Sequence, residues 1–442
     1  MPSKKNILHV VHCIDTEGPL TEDIGATFER LENIFGISLT PSIESLKALQ
    51  NCELDLGGIE KDVARVVAPN LIKYNNSWDD IQVMLEDAMS REYRNKILDD
   101  KGEGWVFSWH CMDHAGYSDN PRRKDLGFGN VFRFYKQMLQ ETRSSRDELN
   151  WHFHPLSFNR NPLQCASSYV NSYDVLMQIL CRRVIEEGWY PLANRPGFHT
   201  ERPDSHLFLE QWIPFDYANQ FFEKDDGQPD LVKGRFGDWR RSSSSWRGYQ
   251  PSHDDYQVPG NCRRWIFRCL NVGTRFNELQ ESHVRQAFDE AQESGSAILA
   301  FANHDFRDIR PDVDYVRDLI ERVRGDFPGV ILKFSGAVEA AREHTNLLSE
   351  STYPNISISM EIKGSVLSVS IDNGKLFGPQ PFLALKTRGG NYYHDNFDVQ
   401  EPGRSYSYVM DSQTLTLDNL EVIAVGASGI EGSSQVIKKV FE

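Results

Sequence analysis

Asp15 and Glu17 stand in the segment Cys13-Ile14-Asp15-Thr16-Glu17-Gly18-Pro19, at the end of an apolar run. A chain extended through Glu17 turns both carboxylates to one face before Gly18-Pro19 stops it. Side by side, two carboxylates repel unless a cation lies between them, so the pair suits a metal ion. In Trp151-His152-Phe153-His154-Pro155 the same period of two sets both imidazoles on one face, a geometry that fits a zinc-type ion. Arg195, in Asn194-Arg195-Pro196-Gly197-Phe198-His199, offers a guanidinium that can hold a carboxylate ionised and oriented, with His199 as a further polar contact. The last candidate is His304, delivered by the apolar run Leu299-Ala300-Phe301-Ala302 with Asp305 beside it. An imidazole titrates near neutrality and can hand a proton to a leaving group.

Each of these groups needs an element to position it. Short apolar runs at Ile7 to Ile14, Trp105 to Cys111, Glu148 to His154, Trp189 to Asn194, Ala297 to Ala302 and Val330 to Phe334 read as buried strands. Helical spacing falls between them, at Asp79 to Leu98, Val131 to Thr142, Tyr169 to Glu187, His283 to Gln292, Val313 to Val323 and Ala337 to Glu343. A further helix, with Ile43, Leu46 and Leu49 on one face, is expected to start from a Thr40 cap and Pro41. Strand and helix in turn predict an α/β fold, a parallel sheet or barrel with helices outside. Ligands in such folds collect at the carboxyl ends of strands, where all four candidate groups lie. Asp113 and His114 follow another strand and are read as an extra ligand or a substrate contact. Asp216, in Phe215-Asp216-Tyr217, is read as a turn cap.

Two regions break the alternation. Phe222 to Thr274 is rich in Ser, Arg, Asp, Gly and aromatics and reads as a large functional insertion or a loop. Beyond Leu348 the period becomes two, at Ile356, Ile358, Met360 and Ile362 and again at Leu367, Val369 and Ile371. The expected division is therefore a barrel over 1–348, with an insertion at about 222–274, and a small antiparallel β domain, sandwich-like, over 349–442.

The chain has 442 residues and a formal charge of −16, from 48 Lys+Arg against 64 Asp+Glu. Nucleic acids and anionic membranes are held mainly by lysine and arginine, so this balance argues against both as partners. No apolar run approaches the roughly 18 to 20 residues that span a bilayer, and no signal-like segment opens the chain. Seven scattered cysteines without a CxxC pair fit a reducing compartment, and a cytoplasmic location is expected.

Taken in order, these segments resemble the polysaccharide deacetylase family, the NodB-homology domain of carbohydrate esterase family 4. That family's pattern is an acidic pair at the first strand end, a histidine metal motif, an Arg-x-Pro-like motif and a late Leu-x-His. The resemblance covers roughly residues 5 to 345 and is closest to a divergent branch found with surface-polysaccharide biosynthesis, on Asp15-Thr16-Glu17-Gly18-Pro19, Trp151-His152-Phe153-His154-Pro155 and His304-Asp305-Phe306-Arg307. Three departures stand out. Thr16 separates Asp15 from Glu17 where the family has adjacent aspartates. Leu156 stands four residues after His152 where the family has a second histidine, so His154 takes that place. Proline follows Arg195 immediately instead of one residue later.

The resemblance implies a distorted (β/α)7 barrel and a metal-dependent hydrolase that removes an N- or O-acyl group from a saccharide or sugar nucleotide. Glu17, His152 and His154 would hold a divalent ion, zinc for preference, with Asp15 as base; the roles of Asp15 and Glu17 are exchangeable. Arg195 would orient Asp15, and His304 would protonate the leaving group with Asp305 or a neighbouring carboxylate orienting it. Trp239, Trp246, Tyr249, Tyr256 and Arg263 of the insertion combine flat apolar faces with polar tips and are expected either to form a sugar-facing wall or to anchor the loop. Two rivals remain: a metal-free saccharide-binding or assembly protein on the same fold, and an amidohydrolase acting on a small non-sugar amide.

Overall fold

The computed structural model describes residues 6–164, 167–223, 237–349 and 352–442. Seven parallel strands close into a barrel: β1 (Asn6–Thr16), β2 (Phe107–Cys111), β3 (Glu148–Phe153), β4 (Ala193–Pro196), β5 (Phe215–Asn219), β6 (Trp265–Asn271) and β7 (Ser296–His304). On one side β1 runs along β7, with Asp15 opposite His304. On the other side it is shared. Its first half, Asn6 to Val10, pairs with an eighth strand, β8 (Val330–Phe334), and its second half, His12 to Thr16, pairs with β2. The ring of seven therefore closes only toward the carboxyl ends, where the candidate residues sit.

Alternation along β1 sorts its side chains. Leu8, Val10 and Ile14 join the large apolar cluster shared with Leu299, Phe301 and the surrounding helices. Val11 and Cys13 join a second cluster with Phe215, Tyr217, Cys269, Ala300 and Ala302. Asp15 shares the parity of Val11 and Cys13, so the strand delivers its carboxylate to that second face. Helices follow the expected spacing: Glu281–Ser294 buries Val284, Ala287, Phe288 and Ala291, and Gly295 ends it in the left-handed region.

Several boundaries differ from the sequence reading. The helix after Pro41 begins at Ile43 with Ser42 as its cap, the Ser42 hydroxyl accepting from the Ser45 N–H, so Thr40 and Pro41 lie outside it. Asp79 to Leu98 is two helices, Trp78–Ala88 and Arg91–Arg94, parted where the Ser90 hydroxyl accepts from the Tyr93 N–H and restarts the turn. Strands β5 and β6 went unread, and β6 falls inside the expected insertion. Ile266, Phe267, Cys269 and Leu270 of β6 are buried, while Arg268 between them reaches out to the Ser244 carbonyl and Glu223, which makes the segment look polar. The excursion between β5 and β6 thus ends at Trp265 instead of near Thr274; residues 224–236 of it lie outside the described residues.

The last part of the chain forms two four-stranded antiparallel sheets. One contains β9 (Ser357–Lys363), β10 (Val366–Asn373), β13 (Asp398–Glu401) and β14 (Ser405–Val409). The other contains β11 (Phe382–Thr387), β12 (Tyr392–Asp395), β15 (Leu420–Ser428) and β16 (Ser434–Val440). Leu367, Val369, Leu383, Leu385, Tyr406 and Ile423 contribute to the apolar core they share. The second sheet's other face, with Phe382, Ala384, Tyr392, Val422 and Ala424, packs on barrel helix Tyr173–Glu187 in one continuous cluster. Among the described residues no helix is long and apolar enough to cross a membrane.

Candidate active site

The carboxyl ends of β1, β3, β4 and β7 bring Asp15, Glu17, His152, His154, Arg195, His199 and His304 to one place. Five of them, Asp15, Glu17, His154, His199 and His304, line a cavity of about 230 Å³. The chain turns sharply just after Glu17. Gly18 has φ +71°, and a Cβ there would lie 2.7 Å from the Trp78 ring, so only glycine fits. Two side chains, through three hydrogen bonds, then fix the backbone at Glu17. Asp305 accepts from the N–H groups of Glu17 at 2.8 Å and Gly18 at 2.9 Å, and His114 Nε2 donates to the Glu17 carbonyl at 2.7 Å. Burial lowers the His114 pKa to about 3, so that imidazole is neutral.

Glu17, His152 and His154 offer ligand atoms that all lie within 4.8 Å of one another. The two Nε2 atoms are 3.0 Å apart, and Glu17 Oε1 is 3.4 Å from that of His154. The His152 tautomer follows from its other nitrogen, since Nδ1–H donates to the Arg195 carbonyl at 2.6 Å and leaves the Nε2 lone pair facing His154. Glu17 Oε2 is held by Lys124 at 2.9 Å, which leaves Oε1 for the imidazoles. Burial alone would raise the Glu17 carboxyl, but Lys124, His154 and His304 outweigh it and keep the group well below the usual carboxylate range. One carboxylate and two imidazoles on a concave face are a donor set that fits a divalent, zinc-type ion.

Asp15 stands beside this group without joining it. Arg195 Nε lies 2.8 Å from Oδ1, and Oδ2 faces His304 Nε2 at 3.7 Å. Arg195 is fully buried, donating also to the Tyr217 carbonyl at 3.3 Å, with His199 Nδ1 at 3.2 Å from Nη1. Phe198 and His199 both carry positive φ, +54° and +47°, an uncommon conformation for side-chain-bearing residues that folds the chain back onto the guanidinium. Burial lowers His304 to about 3 in spite of Asp15 and Glu17, so its resting form is the free base.

Other expected site residues lie elsewhere. Asp305 does not orient His304: it lies in the turn after β7, and its carboxylate takes the Glu17 and Gly18 N–H groups and the Tyr135 hydroxyl at 2.9 Å. Asp113 is neither a ligand nor a substrate contact. Arg183 holds it at 2.7 Å, the Gly129 N–H donates to its other oxygen, and it is 5% exposed. Trp239, Tyr249 and Tyr256 form their own buried cluster with Ala218 and Ile266, and Trp246 is wholly buried in the main core. The polar tips of Trp239, Tyr249 and Tyr256 are spent on protein, the indole N–H on the His199 carbonyl and the two hydroxyls on the Tyr256 and Asp238 carbonyls. Arg263 lies beside Glu210 and over the Phe377 ring. None of these five lines the cavity, so they anchor the excursion instead of walling a sugar site. Asp216 is no turn cap: it lies within β5 and pairs with the buried Arg264 at 2.7 Å.

Sequence reasoning missed Lys124, Tyr135 and Gly197. Lys124 and Tyr135 carry no spacing signal. Gly197 was visible in the Pro196-Gly197 turn, but its role is spatial: a Cβ there would meet His154 Cγ and Cδ2 at 2.3 Å. A scan against protein-family models finds no match for this chain, and a search of curated proteins finds none either.

Proposed function

We propose that the protein is a metal-dependent hydrolase of polysaccharide deacetylase type, removing an N- or O-acyl group from a saccharide. The observation that carries this reading is the convergence of Glu17, His152 and His154 beside an independently held Asp15 at the mouth of a barrel. A zinc-type ion at the three ligands supplies, when bound, a Lewis acid for the acyl carbonyl and a lowered pKa for the attacking water.

The chain's own residues do the rest. Arg195 fixes Asp15 through Oδ1 and leaves Oδ2 to accept the proton of the attacking water. His304 Nε2 stands 3.7 Å from that oxygen, placed to relay the proton to the departing amine or alkoxide. The products are a carboxylic acid and the freed amine or hydroxyl, with no external donor or acceptor. Asp305, His114 and Tyr135 touch no reacting atom and act by positioning, because they hold the turn that carries Glu17.

Two measurements on purified protein test the reading: metal content, and acetate release from a panel of N- and O-acetylated sugars set against small amides. We expect about one divalent ion per chain and release from a sugar. Asp15→Asn is expected to lower turnover by roughly 10²- to 10⁴-fold with metal content retained. Protein that binds no metal and releases no acid from any substrate is a binding protein, and the proposal fails.

A further inference from the structure

The cavity that opens on Asp15 and Glu17 has a basic wall in a chain whose overall charge is −16. Arg122, Arg275 and Arg307 line it. Arg307 is the most exacting of the three. Its guanidinium donates only at long range, to the Leu71 and Gly273 carbonyls at 3.4 Å each, and among the described residues no carboxylate lies within ion-pair distance of it. Burial is the largest influence on its pKa and lowers it; Tyr74 and Asp312 act the other way, and Arg122 and Arg275 lower it further, so like charges face one another across this wall. Of the acidic groups near Arg307 and Arg122, Asp312 accepts from the Asn303 amide at 2.9 Å without pairing with Arg307, and Asp119 lines the same cavity. Glu22, its side chain fully buried, is shared between Arg30 and Arg122, each at 2.8 Å, which sets one negative charge against two positive ones. Glu17 is engaged with Lys124 and the imidazoles.

A partly desolvated guanidinium without a counter-ion is costly to keep, and its planar fork of donors matches phosphate or carboxylate oxygens. Phe306 ties this wall to the reacting groups. Its ring centroid is 4.7 Å from that of His304, 4.9 Å from the Arg307 guanidinium carbon and 5.9 Å from that of Arg122, which puts Arg307 within about 10 Å of the imidazole. One sugar ring bearing an ester-linked phosphate or a ring carboxylate spans such a gap.

We propose that Arg307, with Arg122 and Arg275, binds an oxyanion carried by the substrate, so that the acylated saccharide taken by this cavity is an anionic one. Its identity as a substrate rests on the deacylase reading above; the anion site does not. The test is calorimetric binding to the full-length protein of four probes: N-acetylglucosamine, N-acetylglucosamine 1-phosphate, an N-acetylhexosaminuronic acid and inorganic phosphate. We expect one or both anionic sugars to bind at least about tenfold tighter than the neutral sugar, with the preference shrinking as salt rises. Whichever of them leads tells phosphate from carboxylate, and inorganic phosphate should displace it. Arg307→Gln should collapse the anionic-to-neutral ratio toward one, and Arg307→Lys should restore part of it.

Equal affinity for neutral and charged sugars in the unaltered protein, or no binding of any anionic probe, overturns the proposal without recourse to a variant. Acetate release without charge preference would leave the deacylase reading standing alone. Tight anion binding without acetate release would leave the anion site alone.

Discussion

Gly197→Ala is the sharpest probe of the candidate metal centre, because it adds one carbon and nothing else. The new Cβ would lie 2.3 Å from Cγ and Cδ2 of His154 and 2.7 Å from Nε2, the ligand atom of the proposed site. Carbon atoms in contact sit about 3.5 to 4 Å apart, so the imidazole must retreat by more than 1 Å. Ligand constellations tolerate displacements of about 0.5 Å. Gly197 does not occupy the left-handed region, so alanine brings no backbone penalty there. The expected result is a loss of roughly 10- to 100-fold in metal affinity, the range seen when a ligand loses its support, with an overpacking cost of about 1 to 3 kcal/mol. Competitive titration of zinc against a chromogenic chelator reads the first, and urea unfolding of the metal-free protein reads the second. Unchanged metal affinity in a folded variant would refute the claim that His154 must stand where Gly197 leaves room for it.

Two further outcomes follow from the same geometry. Asp305→Ala strands three buried donors, the N–H groups of Glu17 and Gly18 and the Tyr135 hydroxyl, and should cost about 3 kcal/mol or more in urea unfolding while weakening metal binding; full stability would show that the turn holds itself. His12 donates through Nε2 to the Asn303 side-chain oxygen and accepts the Trp105 indole N–H at Nδ1, and burial lowers its pKa to about 3, as it does for His9. A folded pKa below the unfolded value near 6.5 means that this stability is complete above about pH 6.5 and is lost as pH falls toward 3, with a slope of about 1.4 kcal/mol per pH unit for each histidine. Unfolding free energies measured from pH 7 to 4.5 should show that slope, and His12→Gln, which can keep both hydrogen bonds, should remove one histidine's share of it; an unaltered slope in the variant counts against the assignment.

The parts of this architecture with strong local signals were legible in the sequence. Long apolar strands such as β1 and β7 and helices such as Glu281–Ser294 show their periods plainly, and period two along β1 and β3 places Asp15 with Glu17 and His152 with His154 on shared faces. What was illegible depends on residues distant in sequence. Nothing near Asp113 shows that Arg183, seventy positions later on a helix, will claim it. Strands β5 and β6 carry buried charged side chains, Asp216 paired with Arg264 and Arg268 with Glu223, which interrupt their apolar pattern. Asp305 is a different case: it follows the last residue of β7, and the turn carries its carboxylate to the Glu17 and Gly18 N–H groups, which only the fold brings near. The aromatics of the excursion suited a sugar in type, yet type does not say whether a ring faces a cavity or the core.

Helix Tyr173–Glu187 buries Val175, Leu176, Met177, Ile179, Leu180, Cys181, Val184 and Ile185, more than one face of a helix can turn toward a barrel. The rest of its apolar surface is covered by Phe382, Ala384 and Val422 from the far end of the chain, and Gln178 donates to the Tyr392 carbonyl at 2.7 Å. The terminal sandwich is therefore a roof over a helix that would otherwise be greasy in water. Truncation before residue 349 should yield an aggregating barrel, and the intact chain should melt in a single cooperative step despite its two architectures.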